Sequence, residues 1–362
     1  MAEGIPFINT GALFDISDAY SHGELTDALF DKAMNEALQW HISNCPEFAL
    51  FLKRKGFKFS GEESFLPEEI PPIFVTIFKE FRLISIPERK IKLELTSSGT
   101  TGQRSAIVLD ARSLGRILKI VPNIFGSLGL VNQKEKVNYL CFTYDPRVAK
   151  NVGTAFSDKV MTGFTQKKSV FYAIQWNSSS ASFEFDLDLT VSRLLRLSKQ
   201  PEAVRILGFP AYLWQVCDEL EKRRKRLKLG DSSFVLTGGG WKIHKDREVT
   251  KELFKDRVAY VLGIPERNVR DSYGMVEHGI PYVDCEFGKL HVPIYSRARV
   301  VDPETLLPCA ADEPGLLHLM TPYLSSYPSI SLLSTDLAKI ESHCQCNRPG
   351  KTIALLGRAG LS

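Results

Sequence analysis

Beyond residue 90, short apolar runs alternate with segments of helical spacing. Val137 to Phe142, Val204 to Gly208, Phe234 to Leu236 and Leu316 to Met320 read as strands, with amphipathic stretches between them. This alternation constrains the chain most. Strands separated by helices must pair through crossovers, which yields an α/β fold with a mixed sheet flanked by helices. Before residue 90 the pattern differs. Leu25, Leu29, Ala33 and Ala37 recur at helical spacing until Pro46 interrupts, so a helical segment is expected from Glu24 to Phe57. Pro67, Pro71 and Pro72 then precede an amphipathic run with Phe74, Ile77, Phe78 and Phe81, which suits a linker and a short helix. The expected organisation is a helical segment over 1–90 packed on a main domain over 91–356, with a stub over 357–362.

Composition excludes several classes of function. The 362 residues carry 46 basic and 42 acidic side chains, a formal charge of +4, too small to imply a nucleic-acid or membrane partner. No basic leader with a long apolar run opens the chain and no eighteen apolar residues run together, so a cytoplasmic location is expected. The run Lys222, Arg223, Arg224, Lys225, Arg226 and Lys228 follows a helical pattern of Leu213, Val216, Cys217 and Leu220. It reads as a solvated helix end capped at Gly230 rather than a nucleic-acid contact. The serine cluster Asn177 to Ser182 reads as a surface loop.

The most informative segment is Ser97-Ser98-Gly99-Thr100-Thr101-Gly102-Gln103-Arg104, set between an alternating Ile91 to Leu95 run and Ala106 to Leu109. Glycines let consecutive amides turn toward one anion and the hydroxyls add donors, the chemistry needed to hold a polyphosphate. No lysine follows the last glycine, so this is not the GxxxxGK[ST] loop. A Ser/Thr-rich turn is the plain alternative.

Ser97 to Gly102 resembles the phosphate loop of the adenylate-forming superfamily. Three further segments follow in that superfamily's order. Phe234 to Lys242, with Gly238, Gly239 and Gly240, is similar to its glycine-rich turn beside adenine and acyl group. Asp271-Ser272-Tyr273-Gly274-Met275-Val276-Glu277 is similar to its YGxTE motif, with valine where threonine is usual. Ser334-Thr335-Asp336 and Leu356-Gly357-Arg358 resemble the ribose-binding TGD and the hinge. Within the superfamily, Gly239-Gly240-Trp241-Lys242, the Cys285 to His291 segment and Ser326-Tyr327-Pro328 look like the acyl-protein synthetases of bacterial bioluminescence, with phenylacetate-CoA ligases next nearest. The resemblance implies an adenylate-forming (AMP-binding) domain over 91–356 without the full C-terminal subdomain, and a hinge stub at 357–362.

The implied reaction is activation of a carboxylate by ATP and Mg²⁺ to an acyl adenylate, then transfer to a thiol on a protein, a carrier protein or CoA. Ser97, Ser98, Gly99, Thr100, Thr101 and Gly102 would hold the phosphates, Arg104 would stand in for a lysine, and Glu277 offers hard oxygen to Mg²⁺. Tyr273, with Ser272, Gly274 and Met275, would border adenine. Asp336 would accept the ribose hydroxyls, with Arg358 beside it at the hinge. Lys242 either reaches the reacting groups or is an exposed strand-end residue. Ile206 to Tyr212 is a candidate acyl wall that favours a fatty or aryl acid, though core packing suits the same residues.

The resemblance also implies an acyl-accepting cysteine beyond the hinge, and none follows Arg358. Truncation or a separate acceptor is then expected, and a partner-dependent module that binds nucleotide or acyl chain and hands it on is the competing reading. Seven scattered cysteines argue against a disulfide framework. Cys285, His291, Cys344 and Cys346 match the ligand preferences of structural Zn²⁺. Free thiols, or an acyl carrier at Cys344 or Cys346, are the alternatives.

Overall fold

The computed structural model describes residues 7–59, 63–96, 105–131, 134–145, 147–149, 160–310 and 312–359, apart from the side chains of Lys242, Ile243 and Lys245. Its strands are β1 (Ile73–Phe74), β2 (Ile91–Thr96), β3 (Ala106–Asp110), β4 (Lys136–Tyr144), β5 (Gln166–Asn177), β6 (Ser182–Phe185), β7 (Val204–Gly208) and β8 (Phe234–Gly238), followed by β9 (Val269–Tyr273), β10 (Tyr282–Asp284), β11 (Leu290–His291), β12 (Arg297–Val301), β13 (Gly315–Met320), β14 (Ser331–Glu341) and β15 (Thr352–Arg358). Among the described residues thirteen of them form one mixed sheet in the order β12-β13-β14-β15-β11-β10-β9-β8-β7-β4-β5-β6, with β1 added to β14. The pairs β5/β4, β4/β7, β7/β8 and β8/β9 are parallel, and β9/β10 begins the antiparallel half. β2 and β3 form a separate antiparallel pair.

The parallel half is buried on both faces, which is why its strands are continuous apolar runs in the sequence. Successive residues point to opposite faces. Tyr139, Cys141, Leu207, Phe234 and Leu236 join one buried cluster with Ile117, Ile120 and Ile124 of helix Ala111–Ser127. Leu140, Phe142, Ile206 and Val235 join another beneath helices Leu187–Leu197, Pro210–Lys222 and Lys251–Leu262. Asp186 and Thr250 open two of these helices by accepting the amides of Leu189 and Leu253 at 2.8 and 3.3 Å.

The first ninety residues bring helices Glu24–Asn44 and Pro46–Arg54. Their Phe30, Met34, Leu38 and Phe48 lie in the same buried cluster as Ile120, Tyr295 and Leu324, so the core runs through both segments. His41 is fully buried, with Nδ1 2.7 Å from Ser85 Oγ and Nε2 3.1 Å from the Leu324 carbonyl. Burial lowers its pKa to about 3, so it serves as a neutral hydrogen-bonding ring.

The expected cap at Gly230 is corrected. The helix ends at Lys222, and Arg224 takes the left-handed turn just beyond it (φ 52°). The segment that follows is drawn along the end of helix Lys251–Leu262, where the Leu227 and Leu229 amides donate to Val261 and Leu262 at 2.9 and 3.0 Å and Leu227 is buried. Arg223 pairs with Glu219 and Asp188, and Arg226 covers the Tyr260 ring.

Asp110 closes β3 and caps the next helix. Its carboxylate accepts the Ser113 amide at 2.9 Å and the Ser325 hydroxyl at 3.0 Å, while Ser113 Oγ accepts the Ser325 amide at 2.9 Å. Asp110→Ala removes a cap and the charged acceptor of a buried hydroxyl, so chemical denaturation should show a loss of about 2–4 kcal/mol. Asp110→Asn should lose less.

Candidate active site at the carboxyl edge of the sheet

Parallel pairing sets Gly208 beside Thr237 and Gly238 beside Ser272, so β7, β8 and β9 end side by side. Open α/β sheets bind ligands at such an edge. Gly238 approaches β9 so closely that a Cβ there would lie 2.6 Å from Ser272 Oγ. Ser272 Oγ donates to the Thr237 carbonyl at 2.8 Å. Gly239 and Gly240 then turn with φ of 77° and 69°, a region that favours glycine. Backbone conformation thus favours glycine at 239 and 240, and the Ser272 hydroxyl leaves no room for a Cβ at 238.

After β9 the chain turns through Tyr273, Gly274, Met275, Val276 and Glu277, closed by the Gly279 amide donating to the Met275 carbonyl at 2.8 Å. Glu277 is buried, and Tyr327 Oη donates to its carbonyl at 2.9 Å. Tyr273 Oη donates to Asp336 Oδ2 at 2.7 Å, and Arg358 Nε lies 3.6 Å from Asp336 Oδ1. Asp336 faces Arg358 across β14/β15. Burial first, and then the Asp336 charge, push the Tyr273 phenol well above its ordinary range, so it remains a donor. The Asp336 side chain keeps 17% exposure, so its carboxylate remains open to hydroxyl donors from a ligand. The Tyr273 ring leans on Tyr282 at 6.1 Å.

Ser97, Ser98, Gly99, Thr100, Thr101, Gly102 and Arg104, and the Lys242 side chain, lie outside the described residues. The strands that bracket this segment are paired, with Thr96 opposite Ala106.

One network escaped the sequence. Asp284, fully buried, accepts the Asp271 amide at 2.8 Å and Lys251 Nζ at 2.7 Å, and Lys251 also donates to the Gly288 carbonyl at 2.9 Å. Thr237 Oγ1 donates to Asp271 Oδ1 at 2.9 Å. The network fixes β9 just before Tyr273. No spacing links Asp271, Asp284 and Lys251 in the sequence; only the β9/β10 pairing and the start of the preceding helix Lys251–Leu262 bring them together.

Cys285, His291, Cys344 and Cys346 do converge: their ligand atoms all lie within 4.8 Å of one another. Cys285 Sγ is 3.5 Å from Cys344 Sγ, and Cys346 Sγ is 3.2 Å from His291 Nε2. Burial raises the Cys344 thiol to about 12 and, aided by the Arg348 charge, lowers His291 to about 4. Arg348 forms an ion pair with Glu286 at 2.7 Å alongside.

The architecture is shared with a solved 2-hydroxyisobutyryl-CoA ligase in an open conformation, bound to 2-hydroxyisobutyryl-AMP and CoA. It superposes with a TM-score of 0.67 at 15% identity, covering 95% of this chain and 78% of that one. That likeness defines the class: this is an adenylate-forming ligase fold. The chain belongs to the acyl-protein synthetase family, LuxE, whose model matches residues 13–361. It is 25% identical to a long-chain-fatty-acid–luciferin-component ligase of Vibrio harveyi over 91% of this chain and 84% of that protein. The ligase of the same name from Aliivibrio fischeri matches to the same extent. The chain is accordingly an acid–thiol ligase that uses ATP to activate a carboxylic acid as its acyl adenylate for transfer to a thiol. Among the described residues no helix is long and apolar enough to cross a membrane.

Burial and the charge of Asp284 push the Asp271 carboxyl up to about 6. The folded state therefore binds a proton more tightly than the unfolded chain, and stability from this group is present below about pH 4 and lost as pH rises through about 6. Asp271→Asn removes that titration. Relative to wild type, the variant should gain on the order of 1–2 kcal/mol between pH 4 and 7, read from denaturation midpoints. An unchanged difference would refute the shifted carboxyl.

Proposed function

We propose that the acid is a long-chain fatty acid and that the edge formed by β7, β8, β9 and β14 holds its adenylate. The observation that carries the reading is the convergence of Tyr273, Asp336 and Arg358, residues remote in sequence, beside the Gly238 to Gly240 turn. The names of the Vibrio and Aliivibrio relatives support a fatty substrate. An aryl acid is the alternative that a substrate panel separates. In this reading 91–356 is the adenylate-forming unit, 1–90 an accessory layer and 357–362 the start of a hinge. Among the described residues none of the seven cysteines forms a disulfide, which suits the reducing cytoplasm.

The carboxylate oxygen attacks the α-phosphorus of ATP, the bond to the β-phosphate bridging oxygen breaks, and pyrophosphate leaves. A thiolate then attacks the acyl carbonyl and AMP departs. No protein nucleophile is needed for the first step, only positioning and charge stabilisation. Asp336 accepts the ribose hydroxyls and Tyr273, with Ser272, Gly274 and Met275, borders the base. Ser97, Ser98, Gly99, Thr100, Thr101 and Gly102 cradle the phosphates, and Arg104 and Lys242 offset the developing charge. Mg²⁺, held with the help of Glu277, would neutralise the phosphate oxygens. The acceptor thiol belongs to a protein, a carrier protein or CoA.

Fatty-acid-dependent exchange of labelled pyrophosphate into ATP tests the reading, and no exchange across fatty and aryl acids would overturn it. Asp336→Asn should raise the KM for ATP roughly tenfold or more, the loss of a charge-assisted hydrogen bond. Glu277→Gln should lower the rate about 10²-fold and require more Mg²⁺.

For the thiol cluster we infer structural Zn²⁺. Three sulfurs and an imidazole nitrogen are the donors zinc prefers, and tetrahedral Zn–S bonds of about 2.3 Å place sulfurs about 3.8 Å apart, close to the 3.5 Å between Cys285 and Cys344. Four protein ligands leave no position for a reactive water. One equivalent of zinc should accompany the purified protein, and Cys344→Ser should lose both the metal and thermal stability. Metal-free protein with freely titratable thiols would exclude the site.

A further inference from the structure

Glu277 is buried, and among the described residues its carboxylate has no hydrogen-bond or ion-pair partner. A buried carboxylate is costly unless a cation or donor meets it, which is the observation that fits this one to Mg²⁺. Its affinity for a metal then depends on how firmly it is placed. The glutamate side chain is flexible, so the backbone at 277 must be held from outside.

The chain around it is pinned. Tyr327 Oη donates to the Glu277 carbonyl at 2.9 Å. Gly279 turns with φ 78° against the Tyr323 hydroxyl, where a Cβ has no room. Between these two anchors His278 buries its whole ring, stacked on Tyr282 at 5.8 Å and 9°, with Nε2 2.8 Å from Tyr282 Oη. The protons of this relay follow from its far end. Ser296 Oγ donates to the Met320 carbonyl at 3.0 Å, so in the 2.6 Å contact between Tyr282 and Ser296 the phenol is the donor. Tyr282 Oη is then open to accept, and His278 Nε2–H donates to it. That leaves Nδ1, which has no hydrogen-bond partner among the described residues, as a bare acceptor. The reverse order would bury an unpaired N–H there. Tyr282 also faces Tyr273 across the β9/β10 ladder, so one phenol ties the residue after Glu277 to the strand that carries Tyr273.

We propose that His278 is a positioning residue for Glu277: its imidazole, anchored on Tyr282 Oη, fixes the turn so that the Glu277 carboxylate meets the metal of the ATP complex without reorganising. The inference rests on the assignment of Glu277 to Mg²⁺ above. Groups that orient a metal ligand are worth roughly 10- to 100-fold in metal affinity.

Calorimetric titration with ATP, once with Mn²⁺ in place of Mg²⁺ and once with metal removed by a chelator, isolates the part of the affinity that the metal supplies. His278→Leu keeps bulk in the core and leaves Tyr282 bonded to Ser296. It should lower the metal-dependent gain in ATP affinity about tenfold while leaving metal-free ATP binding unchanged. His278→Gln, whose amide nitrogen can donate in place of Nε2, should recover most of that loss. Tyr282→Phe should repeat the defect, and it reports even if His278→Leu does not fold. Adding His278→Leu to Glu277→Gln should cost nothing further, because the positioned group is already gone. Equal weakening with and without metal, or a full metal-dependent gain in both His278→Leu and Tyr282→Phe, would overturn the proposal. A full gain in Glu277→Gln would instead bring down the Glu277 assignment itself, so the two failures are distinguishable.

Discussion

Parallel registration of β7, β8 and β9 is the constraint on which the site depends. Gly238 must sit against Ser272 closely enough that no Cβ fits at 238, and this close approach brings the glycine turn and the Tyr-Gly turn to one edge. Gly208 shows the same tightness on the other side, where a Cβ would fall 2.6 Å from the Phe142 carbonyl oxygen. A side chain at 208 would push the ends of β4 and β7 apart, and one at 238 would displace the Ser272 hydroxyl from the Thr237 carbonyl. The edge would then lose the alignment that a transition state stabilised by positioning requires.

The strands of this region were legible because both faces are buried. Alternation is erased in such strands and continuous apolar runs remain, as in Val137 to Phe142, which fall within β4. The Tyr-Gly and Thr-Asp segments stood out as motifs, but the direct contact between them did not. A sequence carries no term for a phenol of residue 273 donating to a carboxylate of residue 336. The Asp271, Asp284 and Lys251 network was hidden for the same reason. Gly230 departs from a local cap for a different reason: hydrogen bonds from Leu227 and Leu229 to Val261 and Leu262 carry the chain away from the helix end before residue 230. The cysteine and histidine spacing did point to convergence, since cysteines two apart can supply two ligands from one turn.

The N-terminal helices contributed no motif yet share the core with the rest of the chain. Trp40 Nε1 donates to the Ser325 carbonyl at 2.8 Å, and His41 binds the Leu324 carbonyl, so helix Glu24–Asn44 holds the same loop that Asp110 and Ser113 hold from the opposite side. Tyr327, two residues beyond, holds the Glu277 carbonyl. A polar seam thus runs from the first helices through the 324–327 loop to the Tyr-Gly turn. It can transmit misfolding at either end, because His41, Asp110, Ser113, Ser325 and Tyr327 are all buried and depend on one another for their hydrogen bonds.

Tyr273 and Asp336 also reveal the shape of the sheet. In strand order β9 and β14 are separated by β10, β11 and β15, about 19 Å if the sheet were flat, yet their side chains form a direct hydrogen bond. The sheet must curl sharply between them. β10 and β11 have only three and two residues, which leaves little ladder to resist the bend. The Cys285, His291, Cys344 and Cys346 cluster lies on the same curled strip, away from Tyr273 and Asp336: it joins the β10/β11 hairpin to the turn between β14 and β15. One hydrogen bond therefore closes the curl between β9 and β14 and the thiol cluster closes it at the hairpin turns. Loosening the cluster would open the angle between β9 and β14 and draw Tyr273 away from Asp336, although none of the four cluster residues touches either.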